Sequence, residues 1–218
     1  MDGSRLTVVI PAYNEARTIA GVVTAATLHA RVLVVDDGSK DDTARLAEEA
    51  GATVHRAATN LGYDGALAAG VTRAFAEGAE AVVTMDADGE HDPAILSRFA
   101  DALGDPAIPL ALGVRPRKQR FAEIVIGWLA RALYGVSDIY CGMKGYRREA
   151  FEANGGFDHT GSIGTELALN TIRRGGKFTE IPVAGRPRAD APRFDRALRA
   201  NIRLFRAFFA VIARPVDA

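Results

Sequence analysis

Apolar positions fall into two rhythms along this chain. Short β-branched runs at residues 6–10, 32–35, 53–54, 81–85 and 110–113 are bounded by Gly, Asn, Asp and Pro, a pattern that reads as strands. Between them, residues 16–28, 42–50, 65–77 and 93–103 carry helical periodicity. Strict alternation of the two predicts an α/β domain, a Rossmann-like, mostly parallel sheet sandwiched by helices. Beyond Gly113 the rhythm changes. A basic stretch with Arg115, Arg117, Lys118 and Arg120 leads into an apolar helix over residues 121–134. A helix over 164–174, a strand over 178–183, an Arg/Pro-rich loop and a final helix over 194–213 complete the order.

The 218 residues, 48% hydrophobic, suit one domain over residues 1–218, with a ligand-binding half at 1–113 and an elaborated half at 114–218. Lys plus Arg and Asp plus Glu number 27 each, so no global field draws the chain to nucleic acid. Cys141 is the single cysteine, which excludes an internal disulfide and a multi-cysteine metal cluster and suits the cytoplasm. No signal-peptide pattern opens the chain, and no stretch reaches the ~18 apolar residues of a membrane span.

In open α/β sheets ligands collect at the carboxyl ends of strands, and the polar clusters sit there. Pro11, Ala12, Tyr13, Asn14 and Glu15 follow the first strand; Asp36, Asp37, Gly38 and Ser39 follow the second; Asp86, Ala87, Asp88, Gly89, Glu90, His91 and Asp92 follow the fourth. Two carboxylates one residue apart at a strand end can seat a hard divalent cation that keeps water and phosphate oxygens as its other ligands. A helix cap by Asp92 ahead of Pro93, with the other acids solvated, is the competing account of the same run. Carboxylates of the second cluster can accept from ribose hydroxyls or base N–H groups, and Tyr13 offers a face to a base; turn formation explains either cluster equally well alone. No Gly-x-Gly-x-x-Gly follows the first strand, which argues against a dinucleotide oxidoreductase.

Taken in order, these clusters, with Asn60-Leu61-Gly62, Gly65-Ala66-Leu67, the segment from Asp138 through Gly142 to Arg147 and that from Gly164 through Glu166 to Pro182, resemble family 2 glycosyltransferases of the GT-A fold, closest to the dolichyl/polyprenyl-phosphate mannose synthase branch. The resemblance implies a metal-dependent, inverting hexosyltransferase. It implies that Pro11, Tyr13, Glu15, Asp36, Asp37, Ser39, Asp86 and Arg188 bind the nucleotide-sugar. Asp86, Asp88 and Glu90 would surround Mg²⁺ or Mn²⁺, with Glu90 standing where that branch usually carries Gln. Asp64 also departs from the Lys or Gly usual in its loop.

Arg115 of Gly113-Val114-Arg115, with Arg120, Arg186 and Arg193, would face acceptor or diphosphate oxygens, which guanidinium forks match. Asp88, Glu166 and Asp138 are the catalytic candidates. The implied donor is a GDP- or UDP-sugar. The acceptor is a polyprenyl phosphate or, alternatively, a glycan hydroxyl, and a non-catalytic nucleotide-sugar-binding subunit is a third reading. The Gln-x-x-Arg-Trp motif of processive synthases is missing.

Two stretches favour peripheral contact with the cytoplasmic membrane face: Phe121, Ile124, Val125, Trp128, Leu129 and Leu133, and Phe194, Leu198, Ile202, Phe205, Phe209 and Ile212 with Arg196, Arg199, Arg203 and Arg206 opposite. Core packing of the same helices is the competing account. His91 reads as a surface residue at a helix start, and Cys141 as small packing beside Gly142.

Overall fold

The computed structural model describes residues 5–116, 121–184 and 197–214. The strands are β1 (Leu6–Ala12), β2 (Arg31–Asp36), β3 (Thr53–Arg56), β4 (Ala81–Thr84), β5 (Leu110–Val114), β6 (Lys144–Arg147) and β7 (Phe178–Pro182). The helices are α1 (Ile19–Ala26), α2 (Thr43–Glu49), α3 (Gly62–Ala76), α4 (Leu96–Gly104), α5 (Phe121–Tyr134), α6 (Arg148–Ala153), α7 (Thr165–Arg173) and α8 (Ala197–Ala213). They build one seven-stranded sheet in the order β3-β2-β1-β4-β6-β5-β7. Only β6 runs antiparallel, to both β4 and β5, so the sheet is mostly parallel as the alternation predicts.

Strand side chains alternate between two cores, the consequence of a period of two in a sheet covered on both faces. Val9, Leu33, Val35, Val82, Leu110 and Leu112 pack under α3, α5, α7 and α8, whereas Leu6, Val8, Ile10, Val32, Val34 and Val83 pack under α1, α2 and α4. Each such buried Val or Leu contributes about 1.5–3 kcal/mol of hydrophobic stabilisation before entropy is charged against it. Gly70 lets α3 lie on the sheet: a Cβ there would come within 2.5 Å of Val9 and 2.7 Å of Val35.

Three differences from the sequence reading have local causes. First, β1 runs on through Pro11 to Ala12, because Ala12 O accepts the Asp37 N–H at 2.9 Å and extends the pairing with β2. Second, β6 and α6 escape the hydrophobic pattern, since Lys144-Gly145-Tyr146-Arg147 has no apolar run and is a strand only because β4 and β5 pair with it on both sides. Third, α8 is rotated from the expected stripe. Leu204, Ala207, Phe208 and Val211 are buried, while Ile202 and Phe209 are exposed. Arg173 fixes this setting by donating to the carbonyls of Val211 at 3.0 Å and Arg214 at 2.9 Å.

Candidate active site

The carboxyl edge of β1, β2 and β4 gathers the polar clusters. The loop after β1 is stitched to the one after β2: the Asn14 N–H donates to Ser39 Oγ at 2.9 Å, the Lys40 N–H to Asn14 Oδ1 at 2.8 Å and the Glu15 N–H to Thr43 Oγ1 at 2.8 Å. Asn14 takes a φ of 56° here, a left-handed conformation that Asn tolerates better than most residues. Asp36 accepts the Ser39 N–H at 3.3 Å and is buried. Pro11 is buried and Tyr13 and Glu15 are half-buried beside it.

Asp37 takes a role the sequence reading did not give it. Its two oxygens accept the Leu61 N–H at 2.6 Å and the Gly62 N–H at 2.9 Å, and its carbonyl accepts from Asn60 Nδ2 at 2.8 Å. At 3% exposed it satisfies the otherwise unpaired amides that open α3, so the expectation of a direct nucleoside contact gives way to an organising role.

Beyond β4, Asp92 caps the helical turn begun by Pro93 by accepting the Ala94 N–H at 3.2 Å. The cap therefore uses Asp92 alone. Asp86, Asp88 and Glu90 remain half-buried at the strand end, with the Glu90 N–H on Asp88 Oδ1 at 3.0 Å. Asp86 is held on three sides. The Tyr63 hydroxyl donates to its Oδ1 at 2.5 Å. Its backbone N–H points to His91 Nδ1 at 3.4 Å, and that ring nitrogen lies 3.8 Å from Oδ2. On the third side Gly142 abuts it so closely that a Cβ would stand 2.7 Å from Oδ2. His91 is buried, not on the surface.

Among the described residues no three His, Cys, Asp or Glu side chains converge to cage a cation. Two neighbouring carboxylates do suit a hard cation whose remaining ligands are diphosphate oxygens and water, the usual manner of Mg²⁺. The donor set thus fits a metal that arrives with the nucleotide.

A second cluster lies past β5. Arg115 donates from Nε to Asp138 Oδ2 at 2.8 Å, from Nη2 to Asp138 Oδ1 at 3.0 Å and from Nη2 to Glu123 Oε2 at 3.1 Å. Burial opposes the charge on Arg115, but the hydrogen bonds and charge of Asp138 and Glu123 outweigh it and hold the guanidinium firmly protonated. Asp138 and Arg115 are therefore each other's partners. That corrects the expectations of Asp138 as an acceptor-facing base and Arg115 as an open phosphate ligand: Asp138 is 2% exposed with both oxygens engaged. Cys141 is buried, which pushes its thiol up to about 11, so the packing role expected of it stands. Arg120, Arg186, Arg188 and Arg193 lie outside the described residues.

Lys144 is fully buried at the start of β6, and burial pushes its amine down to about 8. Its Nζ donates to Ile163 O at 2.8 Å, while the Ile163 N–H donates to Asp64 Oδ1 at 2.9 Å. Ile163 has a φ of 58°, an uncommon conformation for a β-branched residue, and these two bonds hold it there. Tyr63 and Lys144 are the residues that sequence reasoning passed over, and Asp64 was given no role. Asp64 was visible as a departure in its loop, and Tyr63 as the aromatic beside it.

The chain matches the Glycosyl transferase family 2 model over residues 7–124 and belongs to that family. It is 33% identical to a polyprenol monophosphomannose synthase of Mycolicibacterium smegmatis, covering 82% of this chain and 76% of the relative. It is 29% identical to an undecaprenyl-phosphate mannosyltransferase of Micrococcus luteus, covering 82% of each. Among solved structures, glucosyl-3-phosphoglycerate synthase of Mycobacterium tuberculosis, crystallised with Mn²⁺, uridine diphosphate and phosphoglyceric acid, superposes with a TM-score of 0.78. That match has 23% identity and covers 98% of this chain and 80% of that one, which establishes the GT-A-type fold. The protein is a glycosyltransferase.

Proposed function

We propose that this glycosyltransferase moves a hexose from a GDP- or UDP-sugar to a polyprenyl phosphate at the cytoplasmic membrane face, using Mg²⁺ or Mn²⁺. The observation that carries the reading is Asp86, braced by Tyr63, His91 and Gly142, beside Asp88 at the edge where Asp36 and Tyr13 also sit. The likeness to two lipid-phosphate mannosyltransferases supports the acceptor. So do Ile124, Trp128 and Leu133 on α5 and Ile202 and Phe209 on α8, large apolar side chains left exposed, with Trp128 at 72%. Among the described residues no helix is long and apolar enough to cross a membrane, and the contact in this reading is a peripheral one.

In the reaction an acceptor phosphate oxygen bonds to the anomeric carbon on the side opposite the nucleotide. The bond from that carbon to the diphosphate breaks, and the nucleoside diphosphate leaves with the electron pair. Asp86 and Asp88 would hold the cation, with Glu90 beside them; when bound, it would offset charge on the departing diphosphate. Asp36 and Ser39 meet the nucleoside, and Tyr13 stacks against its base. A phosphate acceptor is already anionic at neutral pH, so the protein mainly has to orient it.

Purified protein with Mn²⁺ should release nucleoside diphosphate from one of a panel of nucleotide-sugars only when a polyprenyl phosphate is present, giving an acid-labile sugar phosphodiester. Asp88→Asn should lose more than the about 10–100-fold that removal of an outer-shell metal partner costs. An acid-stable glycoside as the product, or donor binding with no turnover on any acceptor, would refute the reading.

A further inference from the structure

Glu166, in the first turn of α7, is 4% exposed, and its two oxygens are taken up by a single residue. The His159 backbone N–H donates to Oε2 at 2.9 Å, and His159 Nδ1 stands 2.8 Å from Oε1. The His159 side chain is 53% exposed. Since a carboxylate only accepts, the bond to Oε1 requires a proton on Nδ1, and Nε2 is the nitrogen left for a ligand.

The segment that carries His159 is densely hydrogen-bonded. Asp158 Oδ2 accepts from the Ser162 N–H at 2.8 Å, the Ser162 hydroxyl at 2.8 Å and the Gly164 N–H at 2.9 Å. Its Oδ1 accepts from the Thr160 N–H at 2.8 Å and the Thr160 hydroxyl at 2.9 Å. Against the effect of burial, these bonds hold the Asp158 carboxyl below its ordinary range. Ile163 then ties the segment to Asp64, next in sequence to the Tyr63 that grips Asp86, and to Lys144, two residues past the Gly142 that abuts Asp86. The loop is thus anchored to both walls of the Asp86 site, on the face of the sheet that carries α5 and α8.

We propose that His159 is the acceptor-binding group here, its ring carrying both protons so that Nδ1–H stays on Glu166 while Nε2–H is given to an oxygen of the acceptor phosphate, and that Glu166 is a positioning residue behind it. The inference rests on the phosphate-acceptor reading above. A bare Glu166 would repel an anionic acceptor; an imidazole laid over it presents a donor instead. Among the described residues Asp158 is engaged within the loop, Asp64 and Lys144 on Ile163, and Arg115 on Asp138 and Glu123.

The test uses the full chain, a water-soluble short-chain polyprenyl phosphate, saturating donor and Mn²⁺. His159→Gln should raise the acceptor KM by about tenfold to a hundredfold, the loss of one charge-assisted hydrogen bond, with kcat changed by less than about threefold. Donor affinity measured by thermal shift should stay at the wild-type value, which also shows that the variant folds. His159→Lys, which supplies an N–H donor of its own, should recover part of the KM. Glu166→Gln, which leaves the ring without its anionic partner, should fall between wild type and His159→Gln.

A wild-type acceptor KM in His159→Gln overturns the inference and leaves the proposed function standing. So does a loss carried wholly by kcat or by donor affinity. If the wild-type enzyme glycosylates a hydroxyl acceptor and no lipid phosphate, the function and this inference fall together.

Discussion

Gly142→Ala is a one-methyl perturbation aimed at the candidate metal ligand. Its Cβ would stand 2.7 Å from Asp86 Oδ2 and 3.3 Å from Asp86 Cγ, about 0.7 Å inside the 3.4 Å at which ordinary contact begins. Gly142 cannot retreat easily. Its carbonyl accepts the Thr84 hydroxyl at 2.7 Å, and the next carbonyl, of Met143, accepts the Gly113 N–H at 2.9 Å. The carboxylate must give instead, against the Tyr63 hydroxyl 2.5 Å from Oδ1. Metal–ligand distances tolerate only about 0.2 Å, so a shift of this size should weaken metal binding by about 10–100-fold. Overpacking should cost about 1–3 kcal/mol of stability.

The assay is the Mn²⁺ concentration at half-maximal stabilisation in a thermal-shift titration with nucleoside diphosphate, set beside Gly21→Ala, where an added Cβ meets nothing within 4 Å. Gly21→Ala should keep the wild-type Mn²⁺ midpoint. If Gly142→Ala melts lower yet keeps that midpoint too, Asp86 is not a metal ligand.

Two further outcomes follow from the buried charges. Lys144 is pushed down to about 8 from 10.5 by burial, so between those values the unfolded chain holds a proton that the native chain does not, and stability should rise with pH across that window. The gain is lost as pH falls through about 8 and amounts to about 3 kcal/mol at most; the urea-unfolding free energy of wild type minus that of Lys144→Met should therefore rise from pH 8 to 10, and a constant difference refutes the linkage. Arg115→Met leaves Asp138 and Glu123 buried without their cation and should cost about 3–5 kcal/mol in the same measurement while the Mn²⁺ midpoint holds; a loss under about 1 kcal/mol would show that the ion triad is not structural.

The parallel part of the sheet was legible because its strands are buried on both faces and read as unbroken β-branched runs, Leu6 to Ile10 and Val32 to Val35 above all. β6 was not, because it carries a lysine with no exposed surface whose environment is set by strands distant in sequence. Asp86 and Asp88 could be picked out as strand-end carboxylates. Asp37, of the same type in the same setting, turned out to cap α3, a distinction that depends on where Leu61 and Gly62 return in space. Glu166 was noticed without His159, since a pairing across seven residues of turn leaves no periodicity to read.

The place of β6 in the sheet bears on how this fold can be recombined. β5 follows β4 in sequence, yet β6, which comes later still, stands between them in the sheet and the turn before it brings Gly142 against Asp86. A chimera that grafts another sequence after residue 113 would replace one wall of the candidate metal site as well. Acceptor preference and cation preference should thus be inherited together when such segments are exchanged.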